Sequence, residues 1–298
     1  MTAVATQSRV QAQDRRLGWA AVCAVVLCFS LGSTLVKRAN TPGITVAFWR
    51  MISTSLVWNA LLAFQRQRVH WADIKQALIP GIFFGINIVT FYNGATHNSV
   101  ANAELIGSLS PFIVVPIGAR MFGERLNPRA LLFALIAFGG VTLVLFSAPT
   151  KGDASTFGNV LGVASLLLWA GYIVTTRRFR QGMSVTTFMA TITPIALVAI
   201  SPLAIQQGGL DEVSNNGLLY IGLLTFVTGV GAHGLMVFAQ KSIAIGTIGI
   251  AQVAQPALAA CWSFLLVGES LHGLQLVGMV MVLVGILSFI LVNQRITT

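Results

Sequence analysis

Charged residues are scarce in this chain of 298 residues. Only 9% are Asp, Glu, Lys or Arg, and 55% are hydrophobic, whereas roughly a quarter of the residues of a soluble domain are charged. A soluble protein needs charged side chains to cover its surface, so this composition argues strongly against a soluble globular fold. The apolar side chains must face something other than water.

Acidic residues are scarcer still, with 8 against 18 basic ones, and the formal net charge is +10. Such a balance would favour a nucleic-acid partner if the basic residues formed a stripe with interleaved aromatic side chains. Instead they occur in twos and threes between long apolar runs, which is typical of membrane topology. We therefore expect a lipid bilayer, and no nucleic acid, among the partners.

Cysteines and the motifs of enzymes and ATPases are few or missing. Cys23, Cys28 and Cys261 all lie in apolar runs, so neither a disulfide framework nor a CxxC metal site is indicated. The sequence contains no GxxxxGK[ST] phosphate loop, no HExxH and no GxSxG, and it indicates no cofactor. A membrane-embedded enzyme is a weaker alternative, because His233 could activate a serine only with a third group to orient it.

Long apolar runs dominate what is present. A bilayer core of about 30 Å requires about 20 apolar residues per helix, and the chain has ten such runs. They are residues 17–36, 44–64, 77–96, 99–120, 130–147, 157–176, 184–205, 217–239, 246–267 and 274–293. The short connections leave no room for a soluble domain, so we predict an all-α integral membrane protein of ten transmembrane helices, preceded by a cytoplasmic tail at residues 1–16.

Positive charge collects on one side of these spans. Of the 18 Lys and Arg residues, 14 lie in the N-terminal tail, at the C-terminal end or in the connections that follow spans 2, 4, 6 and 8. Lys37, Arg38 and Lys151 lie on the other side, and Arg50 lies within a span. The positive-inside rule therefore predicts that both termini are cytoplasmic.

The chain also contains an internal repeat. A shift of 145 positions aligns the segment around Pro111 with the segment around Pro256, and a shift of 140 positions aligns Phe29 with Trp169. Each half contains five spans, an odd number, so the second half enters the membrane from the opposite side. We predict a 5+5 inverted-topology repeat, an architecture typical of secondary transporters with a substrate site near the midplane. The predicted halves are residues 17–148 and 157–293.

The repeated motif carries a resemblance to a known family. Each copy has a central proline and ends in G-E-x-L, at 123–126 and again at 268–271. This pattern, with the Ala47-Phe-Trp-Arg50 segment of the second span, resembles the paired EamA-type domains of the drug/metabolite transporter superfamily. The resemblance implies a ten-helix exporter in a bacterial plasma (inner) membrane, most similar to exporters of aromatic and other neutral amino acids. Broad efflux of hydrophobic drugs or metabolites is the alternative.

Ionisable residues inside spans are the first candidates for a transport site, because each costs about 2.5 to 3.5 kcal/mol unless it is paired or hydrated. Arg50 and Glu104 lie at similar depth in spans 2 and 4. We predict either a structural ion pair or an external gate that clamps the carboxylate and the ammonium of a zwitterion. His233 could bind substrate, exchange a proton or bond to a neighbouring helix. Since Glu104 and His233 can carry protons, proton exchange and facilitated diffusion both fit.

Polar and aromatic residues near the span centres complete the predicted site. Pro111 and Pro256 should kink spans 4 and 9, either as hinges of alternating access or as static packing kinks. Ser108, Gln252 and Gln255 precede these prolines and are predicted to bind substrate beside an aromatic-lined wall. That wall comprises Asn87, Tyr92, Trp169 and Tyr172.

Some of the 29 glycines are spaced four residues apart, as in Gly81 and Gly85 and in Gly158 and Gly162. Small residues at that spacing let two transmembrane helices approach closely. We predict close helix contacts at both pairs.

Overall fold

The described part of the chain is helical and contains no strand. The computed structural model describes residues 2–97, 104, 106–147, 155–180, 182–267 and 273–294. The α-helices are α1 (Thr2–Ser30), α2 (Gly32–Ala39), α3 (Gly43–Phe64), α4 (Trp71–Thr96), α5 (Ser110–Phe122), α6 (Pro128–Phe146), α7 (Thr156–Phe179), α8 (Val185–Gln206), α9 (Asn215–Leu224), α10 (His233–Ala239), α11 (Ile245–Gln252), α12 (Gln255–Val267) and α13 (Gly273–Gln294). A π-helix (Thr225–Ala232) joins α9 to α10.

These helices account for the ten predicted spans. Among the described residues, eight helical segments are long and apolar enough to cross a membrane, and two shorter apolar helices match the fourth and fifth spans. The start of the chain is helical as well: α1 begins at Thr2, so the residues predicted to form a cytoplasmic tail continue without a break into the first span. No proline interrupts that stretch, and its Ala, Gln and Arg residues favour a helix.

The packing of the helices follows the inverted repeat. The helix of the third span, α4, packs on α7 and α8, and the eighth span packs in the equivalent way on α1 and α3. The fifth and tenth spans, α6 and α13, pack on each other, as do α5 and α11. If each span of the first half is replaced by its equivalent in the second half, and the reverse, every one of these contacts corresponds to a contact that the fold also makes.

The glycine pairs lie at close helix contacts, as predicted. A Cβ atom at Gly85 would lie 2.6 Å from the carbonyl oxygen of Ala196 on α8, and one at Gly158 would lie 2.5 Å from the carbonyl oxygen of His97. The helices can approach this closely only because no side chain intervenes. Gly81 and Gly162 make similar approaches to Ile195 and Ile106.

A glycine at the contact of α6 with α13 supports a matched test of this packing. A Cβ at Gly140 would lie 2.6 Å from the carbonyl oxygen of Gly278, whereas a Cβ at the neighbouring Gly139 would meet only the Met281 Cε at 3.9 Å. We expect Gly140→Ala to destabilise the protein by about 1 to 3 kcal/mol through overpacking. Gly139→Ala should leave the unfolding temperature in detergent unchanged or slightly higher. Equal shifts in the two variants would contradict this account.

In the part of the chain that the structure describes, three spans are irregular near their centres. The fourth span is interrupted at Leu109, one residue before α5, and the ninth is interrupted at Val253 and Ala254, before α12. Both interruptions lie just ahead of Pro111 and Pro256, where the sequence predicts a kink. The eighth span instead widens into the π-helix, which the sequence did not predict.

Candidate transport site

A cavity of about 140 Å³ lies between the two halves, beside the breaks in the fourth and ninth spans. One water molecule needs about 10 to 15 Å³, so this space can hold a small metabolite. The cavity reaches Ala95 and Gly158 at the face predicted to be external. Ten of the twelve predicted site residues line it: Arg50, Asn87, Tyr92, Glu104, Ser108, Trp169, His233, Gln252, Gln255 and Pro256.

The His233 imidazole lies inside an aromatic cluster. Its ring centroid is 4.6 Å from that of Phe84, 4.9 Å from that of Phe29 and 5.8 Å from those of Trp169 and Tyr172, with the rings steeply inclined to one another. Aromatic edges and faces pack favourably in this arrangement. His233 is 1% exposed, and its Nδ1 atom has no hydrogen-bond partner among the described residues. The predicted bond to a neighbouring helix is therefore not made by Nδ1.

Tyr172 does not line the cavity, contrary to the prediction that it forms part of the wall. Its ring stacks on Phe84 at a centroid distance of 5.0 Å and contacts the His233 ring edge-to-face at 5.8 Å. Trp169, one helical turn earlier, does reach the cavity. The difference arises because α7 is apolar on most sides, so its sequence does not fix which face turns inward.

Arg50 brings a buried positive charge to the cavity. Its side chain is 1% exposed, and its Nε and Nη1 atoms have no hydrogen-bond partner among the described residues. The guanidinium carbon lies 5.5 Å from the centroid of the Tyr92 ring, a distance at which a cation–π attraction is felt. A buried cation with free donors is suited to an anionic group of a ligand.

Arg50 and Glu104 line the same cavity without forming an ion pair. Within the described residues, the one ion pair joins His70 and Asp73, so the predicted direct pairing is not formed in this conformation. A similar predicted depth does not by itself bring two side chains of different spans within ion-pair distance. The two charges therefore face a shared space.

The amide side chains have different roles around the cavity. The Asn87 amide nitrogen donates to the carbonyl oxygen of Ser165 at 2.8 Å and to its hydroxyl at 3.0 Å, so only its amide oxygen remains for a ligand. The Gln252 Nε2 atom lies 3.8 Å from the sulfur of Met236, a weak acceptor. The Gln255 Nε2 atom is buried without a partner among the described residues. Of these three amide side chains, Gln255 is therefore the one whose N–H groups are available to a ligand.

The two prolines are placed differently with respect to the cavity. Pro256 lines it, whereas Pro111 does not and lies instead 3.8 Å from where a Cβ at Gly249 would be. Pro111 therefore marks the crossing of α5 with α11. The role of either proline as a hinge stays a prediction.

Comparison with known proteins identifies the family of this chain. The sequence profile of the EamA-like transporter family matches residues 16–146 and 156–291, once in each half. The chain belongs to this family. It is an integral membrane transporter and not an enzyme.

Proteins named as exporters resemble this chain at low identity. The pseudopaline exporter CntI of Pseudomonas aeruginosa is 26% identical over 217 residues, which cover 67% of this chain and 71% of that protein. The threonine/homoserine exporter RhtA of Salmonella typhimurium is 24% identical over 251 residues, which cover 84% and 82%. A crystal structure that is 18% identical has a TM-score of 0.75 and covers 96% of this chain and 99% of its own, so it shares the fold.

The first G-E-x-L motif of this EamA-like transporter joins its two halves. Gly123 follows α5 with a φ of 64°, a left-handed conformation that favours glycine at a helix end. The Glu124 carboxylate accepts hydrogen bonds from the backbone N–H groups of Ile245 at 2.9 Å and Gly246 at 3.1 Å. It thereby caps α11, whose own N-cap residue, Ala244, has no polar side chain.

Sequence reasoning gave Glu124 no role, because the helix that it caps lies far away along the chain. It also missed Phe29 as a member of the aromatic cluster. A signal for Phe29 existed, since the repeat aligns it with Trp169, and the two rings meet at a centroid distance of 5.5 Å. The second G-E-x-L motif, at 268–271, lies outside the described residues.

Proposed function

We propose that this EamA-like transporter exports small neutral metabolites, with aromatic and other neutral amino acids as its foremost substrates. Its substrate would bind in the cavity and cross by alternating access between the inverted halves. Relatives named as exporters of threonine/homoserine and of pseudopaline support export of small metabolites. We further propose a bacterial inner membrane with both termini cytoplasmic, in line with the positive-inside rule.

The observation that carries this proposal is the pairing of an unpartnered cation with an aromatic cluster in one cavity. Arg50 offers Nε and Nη1 donors to a substrate carboxylate, and charge-assisted bonds of this kind are strong when water is excluded. Glu104 faces the same space and would attract the substrate ammonium. Phe29, Trp169 and His233 would pack against the side chain of the substrate.

Alternating access needs helices that can bend near the site. The breaks before Pro111 and Pro256 free backbone groups in the fourth and ninth spans. The π-helix that precedes His233 adds a third irregular segment, and such segments are frequent at functional sites. We propose that these segments flex while the rest of each half moves as a unit.

Counterflow in liposomes tests this proposal. Liposomes that contain the purified protein and are preloaded with phenylalanine should accumulate labelled phenylalanine saturably, and protein-free liposomes should not. Phenylalaninamide, which lacks the carboxylate, should exchange poorly because it cannot engage Arg50. Exchange of hydrophobic cations without exchange of amino acids would favour broad drug or metabolite efflux, and an absence of exchange for all of these solutes would refute the proposal.

The same assay with and without a pH gradient addresses coupling. If Glu104 or His233 carries protons, an imposed gradient should drive net movement of the amino acid. A counterflow rate that is the same with and without the pH gradient would indicate facilitated diffusion.

A further inference from the structure

A second pocket, of about 420 Å³, opens at the opposite end of the bundle. It lies between the C-terminal end of α7, the start of α8 and the connection that follows α10. Three basic side chains line it: Arg177, Arg180 and Lys241. We name it the basic pocket. This face carries the connections after spans 6 and 8, and it is the face predicted to be cytoplasmic.

Among the described residues that line the basic pocket there is no carboxylate. In the described part of the chain, the one ion pair joins His70 and Asp73, neither of which lines this pocket. Burial, together with the smaller repulsion from Arg177, lowers the pKa of the Arg180 guanidinium to about 10, although Tyr172 opposes this shift. Arg180 still carries its proton at neutral pH, so the pocket holds positive charge that no described residue neutralises.

Buried polar atoms around the pocket also lack partners. The Arg180 Nη1 atom donates to the carbonyl oxygen of Val237, which fixes the guanidinium in place, but its Nε atom has no partner among the described residues. Gln240 is 2% exposed, and neither of its amide atoms is hydrogen-bonded there. Because buried polar groups are nearly always satisfied, these atoms indicate a ligand.

We propose that the basic pocket binds a phosphate group, supplied by the headgroup of an anionic phospholipid or by free inorganic phosphate. A tetrahedral oxyanion accepts several hydrogen bonds at once, and guanidinium, ammonium and amide groups are all present to donate them. Basic pockets between transmembrane helices on the cytoplasmic side are suited to phospholipid headgroups. The position of this pocket at the ends of three spans suits that source.

The test measures binding to the full-length protein in detergent, by the rise in unfolding temperature with added ligand. The two ligands are inorganic phosphate and a short-chain phosphatidylglycerol. In the double variant Arg177→Gln with Lys241→Gln, we expect binding to weaken about 25-fold, about fivefold for each cation. Arg178→Gln is the matched control, because Arg178 is exposed and does not line the pocket; it should bind like the unmodified protein.

A second variant keeps the net charge and separates a loss of binding from a loss of folding. Gln240→Leu removes the unpaired amide and should weaken binding while the ligand-free protein stays at least as stable. A response to phosphatidylglycerol alone identifies the lipid as the source, and a response to inorganic phosphate alone identifies the free anion. The proposal is overturned if neither ligand stabilises the unmodified protein, or if Arg178→Gln weakens binding as much as the double variant does.

Discussion

Replacement of Arg50 by glutamine is expected to abolish counterflow of carboxylate-bearing substrates and, at the same time, to raise the unfolding temperature. Loss of two charge-assisted hydrogen bonds to a carboxylate should reduce flux at least about 100-fold. The guanidinium is buried without an ion partner among the described residues. Its removal should therefore stabilise the ligand-free protein by about 1 kcal/mol or more. Flux in liposomes and thermal unfolding in detergent measure the two effects.

The opposite signs separate a binding role from a structural one. If Arg50 mainly held helices together, its loss would lower the unfolding temperature along with the flux. Arg178→Gln removes the same charge from an exposed site and should change neither quantity. Arg50→Lys should retain part of the flux, because an ammonium keeps the charge but lacks the planar fork of a guanidinium.

Replacement of Glu124 by glutamine is expected to destabilise the protein by about 2 to 3 kcal/mol. The carboxylate accepts two backbone hydrogen bonds at the start of α11, and bonds to a charged acceptor contribute about 1.5 to 3 kcal/mol each. Glutamine offers a single oxygen and loses the favourable charge at a helix N-terminus. Thermal unfolding in detergent checks this expectation.

Two further variants show whether the cap itself is responsible. Glu212→Gln removes a carboxylate from an exposed position and should leave the unfolding temperature unchanged. Gly118→Ala keeps every charge, but its Cβ would lie 2.6 Å from the Glu124 Oε2 atom, so it should displace the carboxylate and also destabilise. If Gly118→Ala is as stable as the unmodified protein while Glu124→Gln is destabilised, capping of α11 by Glu124 is not the cause of the effect.

Features of the fold that depend on pattern along the chain were predictable. The apolar runs predict ten spans, and the odd number of spans in each half predicts the inverted topology. Pro111 and Pro256 predict irregular helix at the places where the fourth and ninth spans are interrupted. These features depend on backbone chemistry and on solvent, which act locally on each segment. The repeat could also have indicated Phe29, because its equivalent Trp169 had been selected as a wall residue.

Features that depend on how helices are rotated were not predictable. Tyr172 faces Phe84 instead of the cavity, since an apolar span has no polar face to fix its rotation. The sequence predicts a similar membrane depth for Arg50 and Glu104, but depth alone does not determine the distance between the two side chains. Glu124 caps a helix in the other half, and the π-helix before His233 has no sequence signal of its own. Each of these outcomes is decided by tertiary contacts.

The contact between Phe29 and Trp169 has a consequence for the energies of the transport cycle. Equivalent residues that touch each other must lie at the pseudo-two-fold axis. If the two halves were identical, the inward-open and outward-open states would be images of one another and equally stable. Phenylalanine on one side of the axis and tryptophan on the other remove that degeneracy. In the proposed alternating-access cycle, the side-chain differences between the halves would therefore set which way the empty transporter faces at rest.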